Sequence, residues 1–165
     1  MRRTSFANWP CSVARTMDLL RDGWTPLVLR EAFYGITRFD AFQSSLGIAR
    51  NTLTDRLSTL VEAGLMERRP YQTEPLRHDY VLTEMGRDFR TVLLTMNAWG
   101  DRWLSGDEGP PVDFLHDDCG KRTRPKVVCD CCGDPLTSEN VSPRLGPGYP
   151  PHIAERPEVR ARFGA

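Results

Sequence analysis

The sequence predicts a mainly α-helical fold with one small β-hairpin, followed by a small C-terminal β appendage of the zinc-ribbon type. Apolar residues recur at spacings of three and four through most of the first 104 residues, as in helices with one buried face. Two short strand-like runs, LMERRPYQ and HDYVLT, interrupt this pattern and flank a polar turn that contains proline. Beyond residue 104 the chain becomes rich in glycine and proline, and four of the five cysteines lie there.

Composition divides the chain into four predicted parts. Residues 1–104 are the helical domain, 105–115 a linker, 116–136 a pair of zinc-ribbon-like knuckles, and 137–165 a loosely ordered tail rich in proline and glycine. The 39% hydrophobic and 27% charged residues are typical of a globular protein. No apolar run of about 18 residues and no secretory signal is found, so we expect a cytoplasmic protein without a membrane partner.

The charge is unevenly distributed although the net charge is zero. Residues 1–104 carry 14 arginines, no lysine and 12 acidic residues, which gives this part a net charge of +2. Arginine suits contacts with phosphates and guanine edges, but a high-GC coding sequence produces the same bias.

Four helices are predicted before the hairpin. The first runs from Cys11 to Leu20, the pair Thr25-Pro26 opens the second, and Gly47 closes the third. Leucines at helical spacing give the fourth helix a buried stripe, which ends at Gly64. Its opposite, polar face carries Asn51, Thr52, Asp55 and Thr59, with Arg56 on the flank.

The longest predicted helix follows the hairpin. Thr83 is placed to cap its amino terminus, while Pro70 restricts the first hairpin strand to a sheet edge. A seam of apolar residues at spacings of four and three runs along this helix: Met85, Phe89, Val92, Met96, Trp99 and Trp103. A seam with two tryptophans exceeds the needs of a small core and indicates a dimer interface formed by Phe89, Val92, Met96, Trp99 and Trp103, or a helix folded back on its own core.

This order of elements is that of a winged helix-turn-helix. Helices three and four are separated by a tight glycine-containing turn, and the fourth would enter the major groove of double-stranded DNA. Its first residues, Asn51, Thr52 and Asp55, would then reach base edges, while Arg50 and Arg56 are long enough for phosphates or guanine.

The hairpin supplies further candidate DNA contacts. Arg77, at the tip, is placed to enter the adjacent minor groove. Arg68 and Arg69 lie on the first strand, one on each face, so one of them should face DNA. Taken singly, each of these residues also fits an ordinary solvated surface.

Several motifs in the right order resemble the HxlR-type family of bacterial transcriptional regulators, which is related to the MarR group. They are Cys11, LLRDGWTPLVLREAFYGITRFDAFQ, LTDRLSTLVEAGLMERR and YVLTEMG, within about residues 9–104. The resemblance implies a homodimer that binds a roughly palindromic operator with its fourth helix and wing and dimerises through its first and last helices. Ala49 and Pro70 depart from the family pattern, at the start of the fourth helix and in the wing.

Cys11 matches an amino-terminal cysteine that senses oxidants or quinone-like electrophiles in some members of this family. A helix amino terminus favours the thiolate, and Arg15 adds positive charge one turn along. We therefore expect redox sensing by Cys11; the alternative is a small residue that only packs.

The segment HDDCGKRTRPKVVCDCCG predicts a structural zinc site with ligands His116, Cys119, Cys129 and Cys132. Each ligand pair has two intervening residues and is followed by a glycine, as a sharp zinc knuckle requires. Four filled positions leave none for a catalytic water. Cys131 lies between two proposed ligands, and an unliganded loop or a Cys119–Cys129 disulfide are alternatives.

The sequence therefore predicts a DNA-binding regulator that responds to a signal at Cys11 or to a small apolar ligand near Trp24, Phe33, Trp99 and Trp103. The alternative is a winged-helix protein-interaction module that does not read DNA, which the weak net charge permits. An enzyme is not expected, because the three histidines offer no adjacent nucleophile with an orienting acid.

Overall fold

The computed structural model describes residues 5–164. Their helices and strands follow the order α1 (Ser12–Leu20), α2 (Trp24–Phe33), α3 (Phe39–Leu46), α4 (Arg50–Glu62), β1 (Met66–Thr73), β2 (Leu76–Leu82), α5 (Glu84–Trp103), β3 (Phe114–His116), β4 (Lys121–Thr123), α6 (Pro151–Ala154) and α7 (Pro157–Phe163). A single 3-10 turn, Gly106–Glu108, follows α5. The mostly helical chain with a small antiparallel hairpin confirms the predicted fold class at this level.

The described residues divide into two compact units, residues 19–125 and residues 5–18 with 126–164. The division does not fall in the predicted linker 105–115. The β3–β4 hairpin belongs to the larger unit, where Phe114 lines a small cavity together with Leu93 and Leu94 of α5.

The core of the larger unit lies under α2, α3 and α4. Leu53, Leu57 and Leu60 are completely buried, as the predicted stripe on α4 requires, and Phe42 of α3 is buried with them. Burying a large apolar side chain contributes roughly 1.5–3 kcal/mol. These contacts join α2, α3 and α4 in one core.

The wing is an antiparallel pair with a local irregularity. β1 and β2 pair from Met66 opposite Leu82 to Thr73 opposite Leu76, and the register shifts between Pro70 and Gln72. β1 has no other strand beside it among the described residues, so the missing amide hydrogen of Pro70 is tolerated.

A short segment before α3 is attached to the other side of the wing. Arg38 forms an isolated antiparallel bridge with Asp79, and the amide of Tyr80 donates to the carbonyl oxygen of Thr37 at 2.7 Å. The Thr37 hydroxyl also donates to the Asp79 carboxylate at 2.9 Å. The wing is therefore fixed to the start of the helix-turn-helix.

The start of α5 is tied to the end of α4. As predicted, the Thr83 side chain caps α5 and accepts a hydrogen bond from the Gly86 amide at 3.1 Å. The amide of Thr83 donates to the carbonyl oxygen of Leu65 at 3.0 Å. A Cβ atom on Gly86 would lie 2.0 Å from that same oxygen, so the close approach of α5 requires glycine here.

The C-terminal segment is more ordered than its composition predicts. Two of its prolines, Pro151 and Pro157, occupy the first turns of α6 and α7, where a missing amide hydrogen costs nothing. Val159 of α7 is buried, and the rings of Tyr149 and Phe163 meet edge to face with centroids 5.9 Å apart. Within residues 5–164, no helix is both long and apolar enough to cross a membrane.

Candidate nucleic-acid interface

The turn between α3 and α4 is short and fixed. Gly47 ends α3 in a left-handed conformation with φ of 61°, and its amide donates to the carbonyl oxygen of Gln43 at 3.0 Å. Ile48 is buried in the core, whereas Ala49 provides no side-chain cap for α4. The turn therefore sets the direction of α4 without a capping hydroxyl.

The first residues of α4 present a polar surface. Arg50, Asn51 and Asp55 are exposed, and Thr52 is half-buried. The Arg50 guanidinium lies 4.8 Å from the centre of the Phe39 ring, which supports its long side chain. This group has the composition that readout of base edges requires.

A cleft of about 390 Å³ lies between the wing and the starts of α3 and α4. It is lined by three arginines, Arg38, Arg50 and Arg77. Arg77 has no ion pair within the described residues, and Arg50 has only a contact of 3.9 Å with the exposed carboxylate of Asp40. The cleft therefore retains positive charge that the chain does not neutralise.

Arg38 and Tyr71 were missed by the sequence analysis. The Arg38 guanidinium lies 3.8 Å from the centre of the Tyr71 ring and 3.6 Å from an oxygen of Asp79. His78, also in the cleft, pairs with Pro70 across the wing. The position of Arg38 directly before α3 could have indicated a DNA contact. Its contacts with the wing could not be predicted, because Tyr71 and Asp79 are distant from it in sequence.

Arg77 lies near, rather than at, the tip of the wing. The turn residues are Glu74 and Pro75, and Arg77 is the second residue of β2, opposite Gln72. Its side chain is exposed and lines the cleft toward α4.

Arg56 has a different position from the predicted one. Its guanidinium lies 2.8 Å from a carboxylate oxygen of Asp22 and 2.9 Å from one of Asp55, and its side chain is only 16% exposed. The Asp22 carboxylate also accepts from the amides of Trp24 and Thr25, at 2.9 and 3.3 Å, and so caps α2. Arg56 therefore ties α4 to the start of α2, and we remove it from the candidate DNA contacts.

The two arginines of β1 are both engaged within the chain. Arg69 donates to the Glu67 carboxylate at 2.7 Å, which neutralises much of its charge. Arg68 donates to the Ser58 hydroxyl of α4 at 3.2 Å and lies 5.7 Å from the centre of the Tyr80 ring. Neither residue lines the cleft.

The outer face of α5 is an exposed apolar stripe. Val92, Met96, Trp99 and Trp103 are 41–62% exposed and follow one another at spacings of four, three and four residues. Phe89, which the sequence grouped with them, is half-buried and packs against the core. The stripe is thus continuous without Phe89.

Cys11 lies directly before α1 and is exposed. Its carbonyl oxygen accepts from the Arg15 amide at 3.0 Å, while the Arg15 guanidinium lies 3.4 Å from the Ser12 hydroxyl. The thiol is thus open to soluble oxidants at the amino end of α1.

One of the residues predicted to surround an apolar ligand, Phe33, lines a small cavity together with Leu93 and Leu94 of α5. This cavity measures about 40 Å³. Such a volume accommodates one or two water molecules and no larger ligand.

The first predicted knuckle is a tight turn between β3 and β4 in the larger unit. The carbonyl oxygen of His116 accepts from the amides of Cys119 and Gly120, at 3.2 and 2.7 Å. Gly120 is left-handed with φ of 64°. His116 Nδ1 and Cys119 Sγ lie 3.4 Å apart, so both donor atoms face the same point.

The second predicted knuckle has the same turn in the smaller unit. The carbonyl oxygen of Cys129 accepts from the Gly133 amide at 2.9 Å, and Gly133 has φ of 77°. The backbone amides of Cys132 and then of Cys131 donate to the Cys129 sulfur and hold the pKa of this thiol below its usual value. A zinc knuckle stabilises its thiolate in this way.

Cys131 completes a set of possible metal ligands within this turn. One ligand atom each from Cys129, Asp130 and Cys131 lie within 4.8 Å of one another. Cys132, which the sequence assigned in place of Cys131, has its sulfur 3.5 Å from a carboxylate oxygen of Asp134. The turn is thus a possible cysteine-rich metal site.

Comparisons with known proteins agree with this architecture. The sequence model of the HxlR-like helix-turn-helix family matches residues 19–108. Rv3095 of Mycobacterium tuberculosis, named as an uncharacterized HTH-type transcriptional regulator, is 45% identical over 143 residues, which are 87% of this chain and 90% of that protein. The crystal structure of PA1607 matches with a TM-score of 0.76 and 36% identity, covering 87% of this chain and 99% of that chain.

A redox regulator is also similar. The reduced form of HypR matches with a TM-score of 0.52 and 29% identity, over 56% of this chain and 92% of that chain. The family and these relatives are transcriptional regulators, which confirms the prediction of a regulator rather than an enzyme. The chain belongs to the HxlR-like helix-turn-helix family and is a transcriptional regulator of the helix-turn-helix type.

Proposed function

We propose that the protein binds a pseudo-palindromic DNA operator as a homodimer, through α4 and the β1–β2 wing of each subunit. The observation that carries this proposal is the cleft of Arg38, Arg50 and Arg77, in which Arg77 has no ion pair within residues 5–164 and the other two have only long contacts of 3.6 and 3.9 Å with carboxylates. Membership of a family of helix-turn-helix regulators supports it.

The exposed start of α4 is suited to the major groove. An α-helix about 10–12 Å across fills a groove about 12 Å wide, so Asn51, Thr52 and Asp55 would reach base edges. Asn pairs well with adenine and an acidic residue accepts from cytosine, whereas Arg50 would bind guanine or a phosphate.

The arginines of the wing and of the segment before α3 are suited to the phosphate backbone. Arg77 is free to extend from β2, while Arg38 is held against the Tyr71 ring. Phosphate contacts position the protein without reading sequence, and they make affinity fall steeply with salt.

The apolar stripe on α5 is suited to a second copy of the chain. Val92, Met96, Trp99 and Trp103 are each more than two-fifths exposed, and a tryptophan buries about 150–250 Å² when covered. Two such helices, packed against each other, would place two copies of α4 on one face of the DNA.

Selection of bound fragments from genomic DNA tests the operator proposal. We expect enriched fragments to contain an inverted repeat with half-sites about one helical turn apart, roughly 10–10.5 base pairs or a multiple. Two chains should bind each duplex. No enrichment over random fragments would favour the protein-interaction module instead.

The stripe is tested by sedimentation of Trp99→Glu. A buried charge should dissociate the dimer, whereas Leu115→Glu, at another exposed apolar position, should leave it intact. If both variants sediment like the parent protein, α5 is not the interface.

For the signal, we propose oxidation of Cys11. Its exposure at the amino end of α1 and the similarity to the redox regulator HypR support this role. Diamide should change the operator affinity of the parent protein, whereas the affinity of Cys11→Ser should be the same with and without diamide. A small apolar ligand held between two subunits is the second proposal, and it predicts a ligand response that Cys11→Ser retains.

We also propose that His116, Cys119, Cys129 and Cys132 bind one structural zinc ion. The two knuckles, each by itself, have the same carbonyl-to-glycine hydrogen bond and the same left-handed glycine. Zinc would cross-link its four ligands and supply folding energy, with no catalytic part.

A further inference from the structure

An open cavity of about 600 Å³ lies within the smaller unit. One wall is the segment that leads into α1, and the other is formed from residues 144–163. The volume falls within the range of roughly 300–1,000 Å³ that is usual for small-molecule sites. The fold of the C-terminal segment, with its two short helices, creates this space.

The cavity is lined by two arginines and by no carboxylate. Arg144 has no hydrogen bond or ion pair within residues 5–164, and Arg15 reaches only the Ser12 hydroxyl at 3.4 Å. Arg56 and Arg69, by contrast, are paired with carboxylates of their own chain. In a chain with no net charge, two unpaired guanidinium groups in one cavity indicate an anionic ligand.

The same cavity is rich in aromatic surface. Trp9, Tyr149 and Phe163 line it, and Trp9 is 53% exposed. The rings of Tyr149 and Phe163 are already packed edge to face, so this part of the wall is fixed before a ligand arrives. A purely inorganic anion would leave this apolar surface uncovered.

We propose that this cavity binds a small aromatic carboxylate. Its carboxylate would accept hydrogen bonds from the planar donor groups of Arg15 and Arg144, while its ring would pack against the aromatic wall. An aromatic phosphate has the same chemistry of a charged head and an apolar ring. The proposal does not depend on DNA binding.

Cys11 lines the same cavity. A bound aromatic acid would shield the thiol from bulky reagents. Ligand occupancy and alkylation of Cys11 should therefore oppose each other.

Calorimetric titration of the full chain with 2-naphthoate tests the proposal. We expect binding with a Kd below about 1 mM, and a loss of about tenfold or more in Arg144→Ala. Arg160→Ala removes an exposed arginine of α7 that does not line the cavity, and it should bind like the parent protein. Arg144→Lys should bind with intermediate affinity, since it keeps the charge and loses the planar donor pair.

The ligand controls separate the possible anions. The neutral 2-naphthamide and inorganic phosphate should both bind at least tenfold more weakly than 2-naphthoate. If naphthyl phosphate binds as tightly as 2-naphthoate, the cavity is a general site for aromatic anions. Saturating 2-naphthoate should also slow alkylation of Cys11 by N-ethylmaleimide. Equal affinity of Arg144→Ala and the parent protein, equal binding of the amide, or displacement of naphthoate by unrelated duplex DNA would each overturn the proposal.

Discussion

The guanidinium of Arg38 lies 3.8 Å from the centre of the Tyr71 ring, which joins the residue before α3 to the first strand of the wing. A cation over an aromatic ring contributes about 0.5–1 kcal/mol at an exposed site. The contact positions Arg38 in the cleft, although the Asp79 carboxylate lies only 3.6 Å from it. This geometry makes Arg38 a candidate phosphate contact, which sequence spacing does not reveal.

Arg38→Ala should weaken binding to operator and to unrelated DNA by a similar factor. A dimer of the variant loses one phosphate contact in each subunit, which reduces the slope of log affinity against log salt by about 1.8. Fluorescence anisotropy at several salt concentrations measures this slope. Arg69→Ala is the matched control because Glu67 already neutralises its charge. Equal slopes for Arg38→Ala and the parent protein would remove Arg38 from the interface.

Arg56→Ala should destabilise the fold. It leaves Asp22 without its cation at the junction of α2 and α4, and we expect a loss of about 1–2 kcal/mol in the free energy of unfolding. The buried Nε of Arg56 has no partner among the described residues, so Arg56→Met should lose less free energy of unfolding than Arg56→Ala. Urea denaturation measures the free energy of unfolding of both variants. Arg50→Ala, at an exposed site, should unfold like the parent protein, and equal stability of Arg56→Ala would contradict the assigned role.

Gly86→Ala should lower stability by about 1–3 kcal/mol, since the new methyl group would overlap the carbonyl oxygen of Leu65. Gly100→Ala, in the same helix, has open space at this position and should be neutral or stabilising by up to about 1 kcal/mol. Thermal unfolding of both variants checks the contrast. Similar melting temperatures for the two would show that α5 does not approach Leu65 so closely.

Protein purified without chelator should contain about one zinc ion per chain. Cys132→Ser should lose most of this zinc, because three ligands hold the ion less tightly than four. Cys131→Ser is the matched control within the same turn and should keep its metal. The opposite pattern would assign the ligand role to Cys131, and a zinc content near zero in the parent protein would exclude the site.

Much of the fold could be predicted from the sequence because local rules govern it. The leucine spacing of α4 placed Leu53, Leu57 and Leu60 in the core, and Thr83 caps α5 as its position before the helix requires. Gly47 closes α3, as predicted, and adopts a left-handed conformation there.

The residues that were misplaced depend on partners distant in sequence. Arg56 looked like a DNA contact because its partner Asp22 lies two helices earlier. Phe89 shared a spacing with the exposed stripe, yet α5 is rotated so that Phe89 meets the core. The helices of the C-terminal segment were missed because a proline-rich composition does not show that Pro151 and Pro157 each begin a helix.

The proposal that α4 and the wing bind an operator is tested by the operator affinity of a variant that lacks two arginines of the cleft. Anisotropy titrations with a selected operator fragment should compare the parent protein with the double variant Arg50→Ala/Arg77→Ala. Both residues are exposed in the cleft, so the variant should fold normally. We expect the double variant to lose about 100-fold or more in operator affinity at constant salt. Unchanged affinity in a folded, dimeric double variant would contradict the proposal.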